Sequence, residues 1–298
     1  MTAHGRLWLT EARKRKSGAK RFNSINGRRK HGRLTLLYWY YRNQSAPPAC
    51  ADAIDRDIGR TCPRHILFRS KEGNGQRGLR RVLIAWVCLE RALVPESERC
   101  GYVQGMNMIV AHLLKHVDEN VAFEIFTRMM VCKKYLLLHN FAVGMTGALQ
   151  KMKLVSVFCE KHCPILHSYF EKYSIEPVTY ATEWVLTLYS YVLEGKLLCL
   201  VWDSFFMHGW DFFFKFTITL LKHFEDHLVG FLEKVQQQGI DENVDIMNEI
   251  YLGLKSIGDR SRQQTSVILG KQTKCFLETM DPEDWVLESR NRRIDFKK

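Results

Sequence analysis

Apolar side chains recur along most of this chain at the three- and four-residue spacing of an amphipathic α-helix. In the segment LRRVLIAWVCLERAL at residues 79–93, this spacing places Leu79, Val82, Leu83 and Trp86 on one side of a helix. The same period predicts helices in further segments, at residues 106–117, 120–137, 181–193, 197–207, 211–235 and 242–257. We see no internal repeat, so these helices are expected to pack as individual elements around a common core.

Strand signals are scarce, and the turn signals separate helices. The best strand candidate is the short run HILF at residues 65–68. NQSAPPAC at residues 43–50 predicts a turn before a helix that Asp52 could cap and that Pro63 ends, because the residue before proline avoids helical backbone. Asp118 precedes another apolar segment and is a second N-cap candidate. Together these patterns predict an all-α fold.

The net charge of +12 is concentrated at the start of the chain. Residues 1–43 hold 12 of the 44 Lys and Arg residues but only one of the 32 acidic residues, Glu11. Such a segment could contact anionic lipid or nucleic acid, remain a solvated loop, or serve as a mitochondrial transit peptide. Nucleic acid is disfavoured because the aromatic residues of the segment cluster at 38–41. A transit peptide is disfavoured because Trp8 and residues 36–41 have the composition of folded segments.

Size and cysteine content point to a folded chain in a reducing compartment. The 298 residues allow one or two domains, and 46% of them are hydrophobic, which is enough for a sizeable core. The nine cysteines are odd in number and have no repeated spacing, so free thiols and a cytoplasmic location are expected. No apolar run is long enough to predict a transmembrane helix.

Two sequence patterns resemble a nucleotide-binding and a metal-binding motif, but the residues around them do not support either function. GNGQRG at residues 73–78 fits a dinucleotide-binding glycine motif, but four residues separate it from HILF and no strand–helix series follows. We interpret it as a glycine loop. Cys159, His162, Cys163 and His167 include metal-ligating types, but they fall on one helix-like stretch and lack two separated ligand pairs. We therefore predict no metal site there.

Two polar motifs remain. In IDRDIGR at residues 54–60, Asp57 and Arg60 are three residues apart, and on spacing alone they form an ordinary surface ion pair. In GYVQGMN at residues 101–107, Gln104 and an asparagine open an apolar helix whose packing has no need of them.

Taken together, these two motifs resemble the signature motifs of TBC domains, the Rab GTPase-activating family. IDRDIGR fits I-x-x-D-x-x-R, and Tyr102 and Gln104 fit Y-x-Q. The similarity covers roughly residues 4–257 and includes GRLW at 5–8, LRRVLIAW at 79–86, DENVAF at 118–123, EWVLTLYSY at 183–191 and LVWDSFFMHGWDFFFKF at 200–216. The chain departs from the family pattern at His4, where an arginine is frequent, and at Val103, where a cysteine is frequent.

The resemblance implies an all-α, multi-helix TBC (Rab GAP) domain in which two helical subdomains form a groove. It assigns residues 1–257 to this domain, with a basic insertion at about 9–33, and leaves 258–298 as a C-terminal helical or polar tail. It also implies structural roles for Trp202 and Asp203.

The same resemblance implies a GTPase-activating protein that acts in trans on a GTP-bound Rab small GTPase. Arg60 and Gln104 would be the catalytic fingers and must project from the same exposed groove, while Asp57 orients Arg60. Tyr102 and Asn107 would brace the Gln104 turn, and Gly105 would let its backbone approach the partner.

Such a chain needs no cofactor of its own, because the partner carries GTP and Mg²⁺, and it is not itself a nucleotide hydrolase. Its role would be in vesicle trafficking, with the basic segment attracting it to the surface of endomembranes. The alternative is a non-catalytic Rab-binding effector or scaffold of the same fold.

Overall fold

The computed structural model describes residues 1–14 and 33–238, and within these residues the secondary structure is helical. The α-helices, in chain order, are α1 (Ala3–Arg13), α2 (Arg33–Tyr41), α3 (Pro48–Ile58), α4 (Asn74–Leu93), α5 (Met106–Leu114), α6 (Glu119–Val131), α7 (Leu138–Phe141), α8 (Thr146–His162), α9 (Pro164–Lys172), α10 (Pro177–Thr187), α11 (Gly195–His208) and α12 (Trp210–Gln238). Short 3₁₀ helices cover Glu96–Glu98 and Val143–Met145. The prediction of an all-α fold is confirmed.

The chain divides into two compact units. Of the described residues, the first unit contains 1–14, 33–154 and 176–209, and the second contains 155–175 and 210–238. In the second unit, α9 packs against the long helix α12. Phe158, at the end of α8, is in ring contact with Phe214 of α12 at 5.5 Å. The two predicted functional motifs both lie in the first unit, between its second and fifth helices.

Helices α4 and α6 form the centre of the first unit. Helix α6 packs against α1, α2, α4 and α5, and α4 also contacts α2 and α3. The predicted apolar face of α4 is fully buried, with Leu79, Val82, Leu83 and Trp86 each 0% exposed. Burying side chains of this size stabilises a fold by about 1.5–3 kcal/mol each, so this face fixes the helix on which the neighbouring motifs rest.

Several predicted helices end earlier than their apolar pattern does. The pattern predicts helix over 120–137 and 181–193, but α6 ends at Val131 and α10 at Thr187. Cys132 adopts extended backbone, and Leu188 lies in the left-handed region at φ 48°. Many of the apolar side chains that follow are nevertheless buried in irregular structure, among them Tyr135, Leu137, Tyr189 and Leu193. The helix predicted over 106–117 likewise ends at Leu114.

The predictions for residues 47–78 were partly wrong. HILF forms turns rather than a strand, with Phe68 buried and Ile66 73% exposed. GNGQRG is the start of α4 rather than a loop, because Gln76 donates to the Phe68 carbonyl and so holds the preceding turn against the helix. Helix α3 begins at Pro48 and ends at Ile58, so Asp52 lies inside it and Pro63 follows its end by several residues. Asp118 does occupy the N-cap position of α6, without a side-chain capping bond.

Other predictions concern residues outside the described ranges, among them the helix at 242–257, the tail at 258–298 and most of the basic insertion. The described part of that insertion continues α1 as far as Arg13. The eight cysteines in the described ranges are free thiols. None of the helices described here has the length and apolar character needed to cross a membrane.

Candidate functional site

Arg60 follows the C-terminus of α3 and presents its side chain to solvent. The helix ends at Ile58, and Gly59 continues in right-handed helical backbone so that the Arg60 N–H still bonds the Asp57 carbonyl at 3.2 Å. The Arg60 side chain is 60% exposed. Its Nε and Nη2 donate to Asp57 Oδ1 at 3.0 and 2.6 Å, which holds the guanidinium while leaving part of its donor fork free to bind a partner.

Asp57 is the buried anchor of this arginine. It is 5% exposed, and the carboxylate oxygen that does not face Arg60 accepts the Tyr102 hydroxyl at 2.5 Å. Burial raises the pKa of Tyr102, and the hydrogen bond to Asp57 raises it further, so the phenol remains a donor at neutral pH. Tyr102 therefore holds Asp57, rather than bracing the Gln104 turn directly as the sequence predicts.

We expect Tyr102→Phe to lower the free energy of unfolding by about 1.5–3 kcal/mol, because a buried carboxylate loses a hydrogen-bond donor. Urea denaturation measures the change. Tyr40→Phe is the control, since the Tyr40 side chain is 64% exposed and should be within about 0.5 kcal/mol of the parent. Equal effects of the two substitutions would show that the Tyr102–Asp57 bond does not stabilise the site.

A second branch of hydrogen bonds connects the Arg60 segment to the Gln104 turn. Thr61 Oγ1 donates to the Asp57 carbonyl at 2.6 Å and accepts from Asn107 Nδ2 at 2.7 Å. Asn107 Oδ1 in turn accepts the Gly105 N–H at 3.0 Å. Thr61 and Asn107 are both buried, so this branch is shielded from water. Asn107 thus holds the backbone N–H of Gly105, and Thr61 is a linking residue that the sequence gave no reason to single out.

Gln104 lies in the turn immediately before α5, and its side chain is exposed. The Met106 N–H bonds the Val103 carbonyl at 3.2 Å and closes this turn. Gly105, the next residue, has φ 104° and ψ −32°, a conformation that residues with a Cβ rarely adopt. Gly105 is also buried, with Leu186 and Thr187 of α10 its nearest neighbours. The need for glycine at this position therefore comes from the backbone conformation, because an added Cβ would meet these neighbours only at ordinary contact distances of 3.4–3.6 Å. The close approach of a partner to this backbone stays a prediction.

The backbone at Gly105 provides a second stability prediction. Gly105→Ala is expected to lower the free energy of unfolding by about 1–3 kcal/mol, because alanine is strained at this positive φ. Gly59→Ala is the matched control, since φ is −63° there and nothing lies within 4 Å of the added Cβ. That substitution should leave stability unchanged or raise it by up to about 1 kcal/mol. Both are measured by urea unfolding, and equal changes would contradict the assignment.

Glu90 of α4 holds the backbone at the start of the GYVQGMN motif. Its carboxylate is fully buried, and its two oxygens accept the Cys100 and Gly101 N–H groups, each at 2.8 Å. Burial raises the pKa of Glu90, and the two backbone bonds oppose that shift. Gly101 adopts φ 63°, so it too uses glycine's freedom. Neither contact is visible in the sequence, because the partners are 10 and 11 residues apart and follow no motif.

The remaining residues of the family pattern have structural contacts. Trp202 is buried and donates its indole N–H to the Leu188 carbonyl at 2.9 Å. Asp203 accepts the Trp8 indole N–H at 2.6 Å and bonds His4 Nδ1 at 2.8 Å. His4, which replaces a frequent arginine, thus pairs with this carboxylate.

Cys159 and Cys163 are buried, and α8 ends at His162 just before Cys163, so the stretch predicted to be one helix is broken.

The site therefore presents a fixed cation and a neutral amide, each supported by one buried frame. Arg60 is held from behind by Asp57, and Gln104 is part of a turn whose following N–H is held by Asn107. Asp57 and Asn107 are connected in turn by Thr61. Exposed arginine and amide groups on a rigid support are suited to binding and polarising the phosphate oxygens of a partner's nucleotide.

The chain is similar to known proteins over most of its length. A family model of the Rab-GTPase-TBC domain matches residues 5–229. Among curated proteins, it is 32% identical over 184 residues to the ecotropic viral integration site 5 ortholog of Drosophila melanogaster, covering 62% of this chain and 22% of that protein. It is 32% identical over 204 residues to TBC1 domain family member 12 of Xenopus tropicalis, covering 66% and 28% of the two chains. The chain thus spans about a quarter of the length of these relatives.

Solved structures show the same fold. The crystal structure of the Chlamydomonas flagellar RabGAP TBC domain matches with a TM-score of 0.64 at 18% identity, covering 90% of this chain and 78% of that one. The Ypt/Rab-GAP domain of Gyp1p matches with a TM-score of 0.56 at 17% identity, covering 85% of this chain and 90% of that one. At these identities the likeness establishes the fold and not the activity.

Proposed function

This chain belongs to the Rab-GTPase-TBC domain family, and from that premise we propose that it accelerates GTP hydrolysis by a Rab small GTPase. In this proposal Arg60 and Gln104 enter the partner's active site together. The observation that carries the proposal is the hydrogen-bonded frame of Asp57, Thr61 and Asn107, which supports both exposed residues.

Arg60 supplies the positive charge that a small GTPase lacks. Charge accumulates on the transferring phosphoryl oxygens during GTP hydrolysis, and a planar guanidinium can donate to two of these oxygens or to the leaving group. Asp57 keeps the guanidinium in place before the partner arrives, so less side-chain entropy is lost when the complex forms. Because Arg60 is already 60% exposed, little movement is required to present it.

Gln104 supplies the group that orients the attacking water. Its amide oxygen accepts a hydrogen bond from the water while its NH₂ donates to the γ-phosphate, and neither interaction requires a change of protonation. The Asn107 contact and the positive φ of Gly105 define the turn that carries the side chain. GTP and Mg²⁺ belong to the partner in this mechanism, and the chain contributes only these two side chains and their support.

Single-turnover GTP hydrolysis across a panel of GTP-loaded Rab proteins tests the proposal. The full 298-residue chain should accelerate hydrolysis by at least one Rab, and an Arg60→Ala/Gln104→Ala double variant should not. Binding to the GTP-loaded Rab should persist in the double variant. If the parent binds a GTP-loaded Rab without changing its rate of hydrolysis, the chain is a Rab-binding effector or scaffold instead.

A further inference from the structure

His112, His116 and Cys199 converge away from the two motifs, at the other end of α5. His112 lies in the last turn of that helix, His116 shortly follows it, and Cys199 projects from α11. One potential ligand atom from each of the three lies within 4.8 Å of the others. Among the described residues, this group combines two imidazoles and a thiol from separate elements of the first unit.

The imidazole of His112 is buried without a hydrogen-bond partner. Its side chain is only 3% exposed, and neither ring nitrogen has a hydrogen-bond partner. Leaving a buried polar group unpaired costs about 1–3 kcal/mol, so such groups in folded proteins call for a ligand or another explanation. A metal ion coordinated by one of these nitrogens would give that nitrogen a partner.

His116 and Cys199 already have the separation that a tetrahedral zinc ion requires. His116 Nε2 lies 3.6 Å from Cys199 Sγ. Zinc bonds of about 2.0–2.1 Å to nitrogen and 2.3 Å to sulfur, at a tetrahedral angle, place these two atoms about 3.6 Å apart. All three ligand atoms lie within 4.8 Å of one another. Side-chain shifts of about 1 Å would therefore bring them to the distances of a tetrahedral zinc site.

The surroundings of the cluster resemble those of a protein metal site. His116 Nδ1 bonds Thr2 Oγ1 at 3.2 Å, so the nitrogen that would not bind the metal is held by a second residue. The rings of Trp8 and Trp202 lie 5.3 and 4.5 Å from that of His112 and provide an apolar wall.

We propose that His112, His116 and Cys199 bind one zinc ion, with a water molecule in the fourth position. Two nitrogens and a sulfur suit zinc, whereas Mg²⁺ and Ca²⁺ prefer oxygen ligands. Binding converts the Cys199 thiol into a zinc-bound thiolate, and the proton is released to solvent. The ion would cross-link α5 to α11 and, through Thr2, support the N-terminus of α1, where Thr2 is the N-cap.

Zinc retention by the full 298-residue chain tests this site. The protein is loaded with zinc, separated from excess metal by gel filtration, and assayed for bound zinc by elemental analysis. Cys199→Ser and His116→Gln remove one ligand each, and Cys88→Ser is the matched control because Cys88 and Cys199 are both 7% exposed. Circular dichroism confirms that each variant is folded, and His116→Gln tests the site independently because His116 is only half-buried.

We expect about one zinc per chain in the parent and in Cys88→Ser, and its loss in the two ligand variants. Cobalt should give thiolate-to-metal absorption in the parent and in Cys88→Ser, and not in Cys199→Ser or His116→Gln. A hundredfold excess of free zinc over its Kd should raise the Tm of the parent by about 5–10 °C and leave that of Cys199→Ser unchanged. No bound zinc in the parent, or equal zinc in all variants, would overturn the proposal. Neither result bears on the GTPase assay, because Arg60 and Gln104 are not part of this cluster.

Discussion

We expect Arg60→Ala to lower the stimulated rate of GTP hydrolysis by a factor of about 10³ or more, since an arginine finger contributes on the order of 10³–10⁵ to the rate. The loss should appear in the rate at saturating concentration of the chain, because the guanidinium acts on charge that develops in the transition state. Stability should fall by about 1–3 kcal/mol, because the buried Asp57 carboxylate loses the donors of Arg60. The fold should survive this loss, since domains are typically stable by about 5–15 kcal/mol. Single-turnover hydrolysis by the most responsive Rab measures this effect.

Arg80→Ala is the matched control for Arg60. Arg80 is also partly exposed and also pairs with an aspartate of α3, with 2.7 Å between its Nε and Asp55 Oδ1. It lacks a link to the frame around Asp57, so its removal should leave the stimulated rate close to that of the parent. Arg60→Lys separates charge from geometry, and we expect it to remain defective because lysine lacks the planar fork. Equal loss in Arg60→Ala and Arg80→Ala would indicate a general electrostatic effect on partner binding.

Gln104→Ala is the second large effect, and we expect the stimulated rate to fall by about 10²–10³, the usual result of removing one transition-state hydrogen-bonding group. Stability should stay within about 0.5 kcal/mol of the parent, since the side chain is exposed and the turn is held through Gly105. Hydrolysis is measured in the single-turnover assay, and stability is measured by urea unfolding.

Two further variants define what Gln104 does. Gln104→Glu keeps the shape of the side chain but replaces the NH₂ donor with a charge that repels the γ-phosphate, so it should be at least as defective as alanine. Gln150→Ala is the control, because Gln150 is an exposed glutamine of α8 outside both motifs. A Gln104→Ala variant with the parent's rate would leave Arg60 as the sole catalytic finger.

The sequence predicts the exposed residues of the site better than their supports. Arg60 and Gln104 stand out only because the two motifs that contain them resemble the TBC signature, since on spacing alone Arg60 and Asp57 form an ordinary ion pair. Thr61 does not, because its importance comes from a hydrogen bond to Asn107, 46 residues away in the chain. Glu90 is similarly hidden, since a glutamate in an apolar helix gives no sign of the two backbone N–H groups that it accepts.

The sequence also predicts the beginnings and ends of helices less well than their existence. Apolar periodicity predicts α4 well because the buried face of this helix repeats regularly. It predicts too late an end for α6, because Tyr135 and Leu137 are buried in irregular structure just beyond the helix. The glycines of GNGQRG indicate a loop on propensity alone. Tertiary packing overrides that preference, because a Cβ on Gly75 would lie 2.0 Å from the Leu67 carbonyl oxygen, so the close packing at the start of α4 requires glycine.

In the proposed mechanism, this chain supplies both an arginine and a glutamine to its partner. A small GTPase normally uses a glutamine of its own to orient the attacking water. If Gln104 takes over this task, the partner's own glutamine is dispensable when the chain is bound.

The most direct test is therefore single-turnover hydrolysis by the most responsive Rab after its own water-orienting glutamine has been replaced by alanine. We predict that the parent chain still accelerates hydrolysis by this Rab variant and that Gln104→Ala does not. Loss of acceleration with the Rab variant, combined with full activity of Gln104→Ala on the unmodified Rab, would show that the partner's own glutamine, and not Gln104, orients the water.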